Sequence, residues 1–338
     1  MELTAPTTEA VRQYLQANNI PFVDVEPVTG GSSNYIWRIL NSRGETSILK
    51  HAQPHLSCNP STPFPVDRMD FEIQALELIP KIVAEAGGIR YPRILHKDMK
   101  NHVLIFENVG QKTLKDLYED PHLDVGAVGK ALSRWLARLH THTTADEIKD
   151  MFNHTTAKRM YRWNYNSLAS TLAKFGYEAE LGERINAKYG SLLQTDNSCL
   201  CHTDLWPGNI LFDLEENWPK EPTMAIIDWE VTRSGNGVTD IGHFAAEAWF
   251  LDRFRGGRGL LGAFLEGYME ERPLGREEKQ RVTAQFGTHI THWAAIYAWI
   301  NEQRTEESVA YGHGILKHVD EENWEWFEKS DLSLLFRD

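Results

Sequence analysis

Residues 200–213 read LCHTDLWPGNILFD and residues 225–244 read AIIDWEVTRSGNGVTDIGHF. The rest of the chain is best read outward from these two stretches. The first places His202, Asp204 and Asn209 on a turn-rich loop ahead of the short apolar run ILF. The second ends an apolar run on Asp228, with Glu230 two residues further on. The amide oxygen of Asn209 and the carboxylates of Asp228 and Glu230 are hard ligands suited to Mg²⁺. Asp204 can take a proton from an acceptor hydroxyl and aim that oxygen at a phosphate. Each piece also has a plainer reading. Asp204, Pro207, Gly208 and Asn209 are all turn formers, and Asp228 with Glu230 would suit a solvated hairpin. The combination favours chemistry. Residues two apart in an extended chain share a side, and two carboxylates on one side call for a cation between them. Asp240 is expected to cap the helix that begins in TDIGHF and to brace the loop above it.

Upstream, VDVEPVTGGSSNYIWRIL alternates as strand, turn, strand, with Tyr35, Trp37 and Ile39 on one face and Ile36 and Arg38 on the other. The turn is Gly30, Gly31, Ser32, Ser33 and Asn34. Its small residues let backbone N–H groups approach a phosphate, although the G-x-G-x-x-G spacing is missing and an isolated GGSSN is a plain hairpin turn. TSILKHA is a third strand carrying Lys50. A lysine after an apolar run is usually a surface residue with a buried stem. Here Glu72, on the helix read from VDRMDFEIQALELIPKIVAEA, offers an ion pair that would point the ammonium at phosphate oxygens. Arg68, four residues before Glu72, competes for the same carboxylate. Two further strands around residues 97–101 complete an antiparallel sheet of about five strands with one main helix.

Past Thr113 the pattern becomes helical: LKDLYED, the VGAVGKALSRWLARLHTHT segment, Ser167 to Tyr189, and long helices beyond Thr239. The fold class is therefore α+β and bilobal. The expected division is 1–108, a sheet lobe for the nucleotide, and 109–338, a larger and mostly helical lobe carrying catalysis and substrate binding.

Composition limits the partners. The 338 residues carry a net charge of −13, with 41% apolar and 25% charged residues, a globular balance. With no basic excess to release counterions, neither nucleic acid nor an anionic membrane is an expected partner. No signal peptide or membrane-length apolar run is read. Three cysteines, an odd and sparse count, suit free thiols in a reducing compartment, so a cytoplasmic location is expected.

Taken in order, the Gly-rich turn, Lys50, Glu72, a hinge at 106–109, CHTDLWPGN and IDWE resemble the aminoglycoside phosphotransferase and choline kinase family, which shares the protein-kinase-like fold. The phrases LKHAQPH, DLWPGNIL and IIDWE are most similar to methylthioribose kinase and fungal hydroxytryptamine kinases within it. The resemblance implies ATP between two lobes, its adenine against the backbone of Glu107, Asn108 and Val109. It implies that Gly30, Gly31, Ser32, Ser33, Asn34, Lys50 and Glu72 attend the phosphates. Asn209 and Asp228 would hold Mg²⁺, with Glu230 helping, and Asp204 would be the catalytic base. The acceptor would be a hydroxyl of a small metabolite, either a hydroxylated amine or a methylthioribose-like sugar. An aminoglycoside or choline-type acceptor is the alternative, and an ATP-binding pseudokinase scaffold the alternative of another class. Two departures tell against a protein substrate: Asp-Trp-Glu replaces Asp-Phe-Gly, and no APE-like segment follows. Trp206, His289 and Trp293, with His292, Tyr297, Trp299 and Trp249, are candidates for the acceptor wall, where aromatic faces suit a cation or an indole-like ring.

Overall fold

Alternation in β2 (Tyr35–Leu40) sets up the first layer. β1 (Asp24–Pro27), β2 and β3 (Thr46–His51) run antiparallel in sequence order. The computed structural model describes residues 3, 6–83, 88–214, 223–296 and 301–337. Trp37 and Ile39 turn inward against Val11, Tyr14 and Leu15 of helix α1 (Thr8–Ala17), forming a small core of their own. Ile36 and Arg38 turn to the opposite face, where they join Ile48 in lining a cleft. Both faces are therefore used, as the period-2 pattern requires.

Helix α2 (Arg68–Ile82) buries Met69, Glu72, Ala75, Leu76 and Ile79. Pro80 lies in its closing turn. β4 (Ile89–Arg90), β5 (Ile94–Asp98) and β6 (Val103–Glu107) follow. The five-stranded sheet has the order β1-β2-β3-β6-β5. β4 does not belong to it. It pairs in parallel with β10 (Thr223–Ile226) in a second sheet ordered β4-β10-β9-β7, where β7 is Lys112–Thr113 and β9 is Ile210–Asp213.

The chain crosses between the sheets at residues 107–111. Gly110 passes so close to β9 that an added Cβ would sit 2.7 Å from the Phe212 carbonyl oxygen and 2.9 Å from Leu211 Cβ. Gly110→Ala is expected to cost about 1–3 kcal/mol, because backbone on both sides must move apart. Equilibrium denaturation checks this, and an unchanged midpoint would count against so tight a crossing.

Helices make up most of the remaining described residues. Val125–His142 presents Leu132, Trp135, Leu136 and Leu139 inward, the i, i+3, i+4, i+7 stripe of an amphipathic helix. Its Arg134 and Arg138 face outward to Glu270 and Glu271 at 2.9 Å each, exposed pairs worth little to stability. The segment 167–189, read as one helical region, is two helices, Leu168–Lys174 and Ala179–Lys188; Gly176 between them has φ +81°. Helix Val238–Phe254 is buried on every side from Val238 to Leu251 and packs on Arg276–Ala294. Among the described residues, no helix is long and apolar enough to cross a membrane.

Candidate active site

Two ladders place the decisive stretches together. β8 (Cys199–Cys201) pairs with β11 (Arg233–Gly235), and β9 pairs with β10. The loop from His202 to Asn209 and the loop from Ile227 to Thr232 are thereby laid side by side, tied by the Ile227 N–H donating to the Asn209 carbonyl at 3.0 Å. The first loop is held in a strained form, since Thr203, a β-branched residue, has φ +76°. Asp240 holds it there. One carboxylate oxygen accepts from the His202 N–H (2.8 Å) and the other from the Thr203 N–H (2.9 Å). The brace expected of Asp240 is present, but the N-cap is Gly237, and Asp240 lies inside the first turn.

Asp204 follows. The Asn209 amide donates both to its backbone carbonyl (2.9 Å) and to its carboxylate (3.0 Å). Burial first, and the charge of Asp228 second, hold the Asp204 carboxyl well above its ordinary range against that hydrogen bond.

Opposite stands Lys50. Its Nζ donates to both oxygens of Glu72 at 3.0 and 2.9 Å and to Asp228 Oδ1 at 2.6 Å. The competition for Glu72 is therefore won by Lys50. Burial alone would lower the Lys50 pKa, but Asp228, Glu230 and Glu72 outweigh it and hold it well above normal. Asp228, pushed up by burial, is brought below its ordinary value by Lys50.

The structure corrects two expectations here. Asp228 has φ +65°, so the chain is not extended and Glu230 does not share its side. Glu230 turns instead into a buried network and is 2% exposed. Its Oε2 accepts from Asn34 Nδ2 (2.6 Å) and Arg68 Nε (3.3 Å) and lies 3.5 Å from Lys50 Nζ. The cation between the two carboxylates is Lys50, and Glu230 is not placed as a metal ligand. For the same reason Asn34 does not reach toward phosphate, because both ends of its amide are engaged, the oxygen by Arg68 Nη2 at 2.8 Å. Ser32 lies on the exposed outer turn, its carbonyl accepting from Ser57 Oγ at 3.0 Å.

Arg68 is the residue that the sequence reading undervalued. Fully buried, it donates to the carbonyls of Phe64 and Pro65 at 2.8 Å each and of Gln53 at 3.2 Å. It thus ties the loop of residues 53–65 and the Gly-rich turn to Glu230. Arg68→Ala would leave Glu230 buried with one charge partner fewer. The expected loss is about 3–5 kcal/mol of folding stability, read by chemical denaturation; a loss under 1 kcal/mol would contradict the network.

Between these walls lies a cleft of about 470 Å³. Gly30, Gly31, Lys50, Glu107, Asn108 and Val109 line it, as do Trp206, Asn209 and Asp228. Trp206 packs over Gly208, and Lys115 Nζ stands 5.5 Å from its ring centroid. Trp229, between Asp228 and Glu230, is fully buried beside Trp135 and His202.

The acceptor candidates separate. His289 is buried and bonds Glu247 at 2.7 Å. Trp293 is half-buried, with its ring 5.9 Å from that of His289. Trp249 is not part of a wall there. It stacks on Tyr311 at 4.6 Å and donates to Asp331 at 2.9 Å. Tyr297 and Trp299 lie outside the described residues. Sequence reading missed Glu247 and His243; their i, i+4 spacing on the helix after TDIGHF was the available signal.

The sequence profile of the phosphotransferase enzyme family matches residues 24–310, so the chain belongs to that family. It is 29% identical to a 4-hydroxytryptamine kinase of Psilocybe cyanescens over 96% of each chain, and 31% identical to the 4-hydroxytryptamine kinase of Psilocybe cubensis over 85% of each. Its fold is that of an amicoumacin kinase solved with AMP-PNP and Ca²⁺, with a TM-score of 0.57 and 12% identity, covering 92% of this chain and 93% of that one. The protein is a small-molecule phosphotransferase that acts on a hydroxyl group.

Proposed function

We propose that this enzyme transfers the γ-phosphate of ATP to the ring hydroxyl of a hydroxylated amine of the hydroxytryptamine type. The observation that carries the transfer is that Lys50, held by Glu72, lines one cleft with Asn209, whose amide holds Asp204. Support for the acceptor comes from two relatives that are both 4-hydroxytryptamine kinases and match this chain over most of its length.

In this reading the adenine lies along Glu107–Val109, and Gly30 and Gly31 cover the phosphates. Lys50 offsets phosphate charge, and Glu72 keeps its ammonium pointed into the cleft. Asp204 accepts the proton of the acceptor hydroxyl as its oxygen attacks, and the strained loop fixes its direction. The donor set suits Mg²⁺: Asn209 gives its N–H₂ to Asp204, which leaves its amide oxygen for a cation, and Asp228 brings a carboxylate to the same cleft. Bound by these two residues, the ion would neutralise charge on the nucleotide phosphates.

The test is an ATP-consumption assay of wild type and Asp204→Ala across a hydroxytryptamine, a methylthioribose-like sugar, choline and an aminoglycoside. Turnover of the hydroxytryptamine by wild type, lost in the variant, is expected. Turnover confined to another class would replace the acceptor, and none with any would remove the kinase reading.

A further inference from the structure

β8 carries Cys199 and Cys201 two residues apart, so both thiols leave the strand on one side. The helix Val125–His142 packs on β8 and brings His140 against them. The three residues are 4%, 0% and 2% exposed. The two sulfurs and a ring nitrogen of His140 lie within 4.8 Å of one another. Two thiols and an imidazole, brought together from separate elements, are a donor set suited to zinc. His202, next to Cys201 in the chain, is not part of it, because its Nε2 is engaged with the Ile227 carbonyl at 3.1 Å.

The surroundings decide which nitrogen is offered. Asp240 Oδ2 faces His140 Nε2 at 3.3 Å. That carboxylate accepts from two backbone N–H groups and can only accept, so Nε2 carries the ring proton. The other nitrogen, Nδ1, lies on the side of Cys199: an added Cβ on Gly237 would sit 2.4 Å from it, and the Gly237 N–H donates to Cys199. A histidine whose far N–H is held by a carboxylate is set up as a metal ligand. Nδ1 now accepts from the Tyr268 hydroxyl at 2.8 Å. The hydrogen bond from the Cys201 thiol, more than any other influence, holds Cys199 below an ordinary thiol. Burial first, and that bond second, hold Cys201 well above one. Two thiolates and a divalent cation would close the charge within the site, and the buried Arg233 offsets Asp240 beside it.

We propose that Cys199, Cys201 and Nδ1 of His140 bind one Zn²⁺, separate from the Mg²⁺ of the cleft, and that the Tyr268 hydroxyl gives up Nδ1 to it. On binding, the two thiol protons leave and the ring proton stays on Nε2. The ion then braces the catalytic loop from behind. It fixes His140, His140 holds Asp240 Oδ2, and the same oxygen accepts from the His202 N–H.

The test takes wild type and Cys58→Ser, both expressed in zinc-supplemented medium, measures bound metal, and then exchanges it for Cd²⁺. About one equivalent of zinc is expected in each, and with Cd²⁺ an ultraviolet thiolate-to-metal band. The chain has three cysteines, so in Cys58→Ser the band can come only from Cys199 and Cys201. In Cys199→Ser and Cys201→Ser, zinc affinity should fall about 100-fold or more, beyond the 10–100-fold typical of losing an outer hydrogen-bond partner of a ligand. Should these two variants fail to fold, the exposed Cys58 still leaves Cys58→Ser to decide. Folded wild type with neither zinc nor the cadmium band overturns the proposal, and so does a band that vanishes with Cys58. The ligand atoms of His243, Glu247 and His289 also lie within 4.8 Å of one another. Zinc bound without a thiolate band would assign the ion to them and overturn the cysteine site.

Discussion

Asp204→Asn is expected to lower kcat by roughly 10²–10⁴-fold, the range for removing a positioned general base, while ATP affinity stays within a few-fold of wild type. The substitution is nearly isosteric. The loop remains strained at Thr203 and tied to Asp240, so the geometry that orients the acceptor should survive. What disappears is the carboxyl oxygen beside Asn209 that can take the hydroxyl proton. Single-turnover kinetics with the acceptor, beside calorimetric titration of ATP, separate the two effects. Turnover within tenfold of wild type would remove Asp204 as the base. A parallel loss of ATP binding would mean that Asp204 shapes the nucleotide site instead.

Asp228→Asn should be nearly as damaging by a different route. Asn tolerates the left-handed backbone that Asp228 adopts at φ +65°, so the change removes charge and little else. In the structure Asp228 is bonded to Lys50 at 2.6 Å. To hold a cation, Asp228 must trade that bond, and Lys50 must turn to phosphate while Glu72 keeps it in place. The variant cannot make that exchange. Truncating a buried, hydrogen-bonded charge pair costs about 2–5 kcal/mol, roughly 30- to several-thousand-fold in affinity, and the loss should fall on the Mg²⁺-dependent part of ATP binding. Titrations with and without Mg²⁺ measure it. An unchanged metal-dependent increment would assign the cation elsewhere.

The two variants probe groups with different legibility. Asp204 and Asn209 are five residues apart, and a turn of that length can hardly keep them separate, so their meeting could be read from the letters. Lys50 and Glu72 could be read because each sits on an element with a clear period: the strand alternation of TSILKH and the helical stripe of Met69, Leu76 and Ile79. Asp228 and Glu230 were misread for a local reason. A single residue in the left-handed region reverses the side of everything after it, and nothing in MAIIDWE marks Asp228 as that residue.

Arg68 shows the same limit at longer range. The carboxylate it was read as competing for lies four residues away on its own helix, and the one it bonds is Glu230, 162 positions along the chain. Asn34 reaches Glu230 across 196 positions. Helical spacing offers such a residue a neighbour, but burial decides which partner it keeps, because a guanidinium with no water must satisfy its donors from whatever packs around it.

The sequence by itself determined the class of fold and the reaction. Strand and helix periods, and ligand types a few residues apart, are properties of a short chain and survive without knowledge of its neighbours. The tertiary structure alone decided which charges face the cleft and which are consumed in holding it together. It withdrew Glu230 and Asn34 into the frame and joined Glu247 to His289 from two separate helices. Those choices depend on distance and dielectric, and both are set only when elements far apart in sequence close against each other.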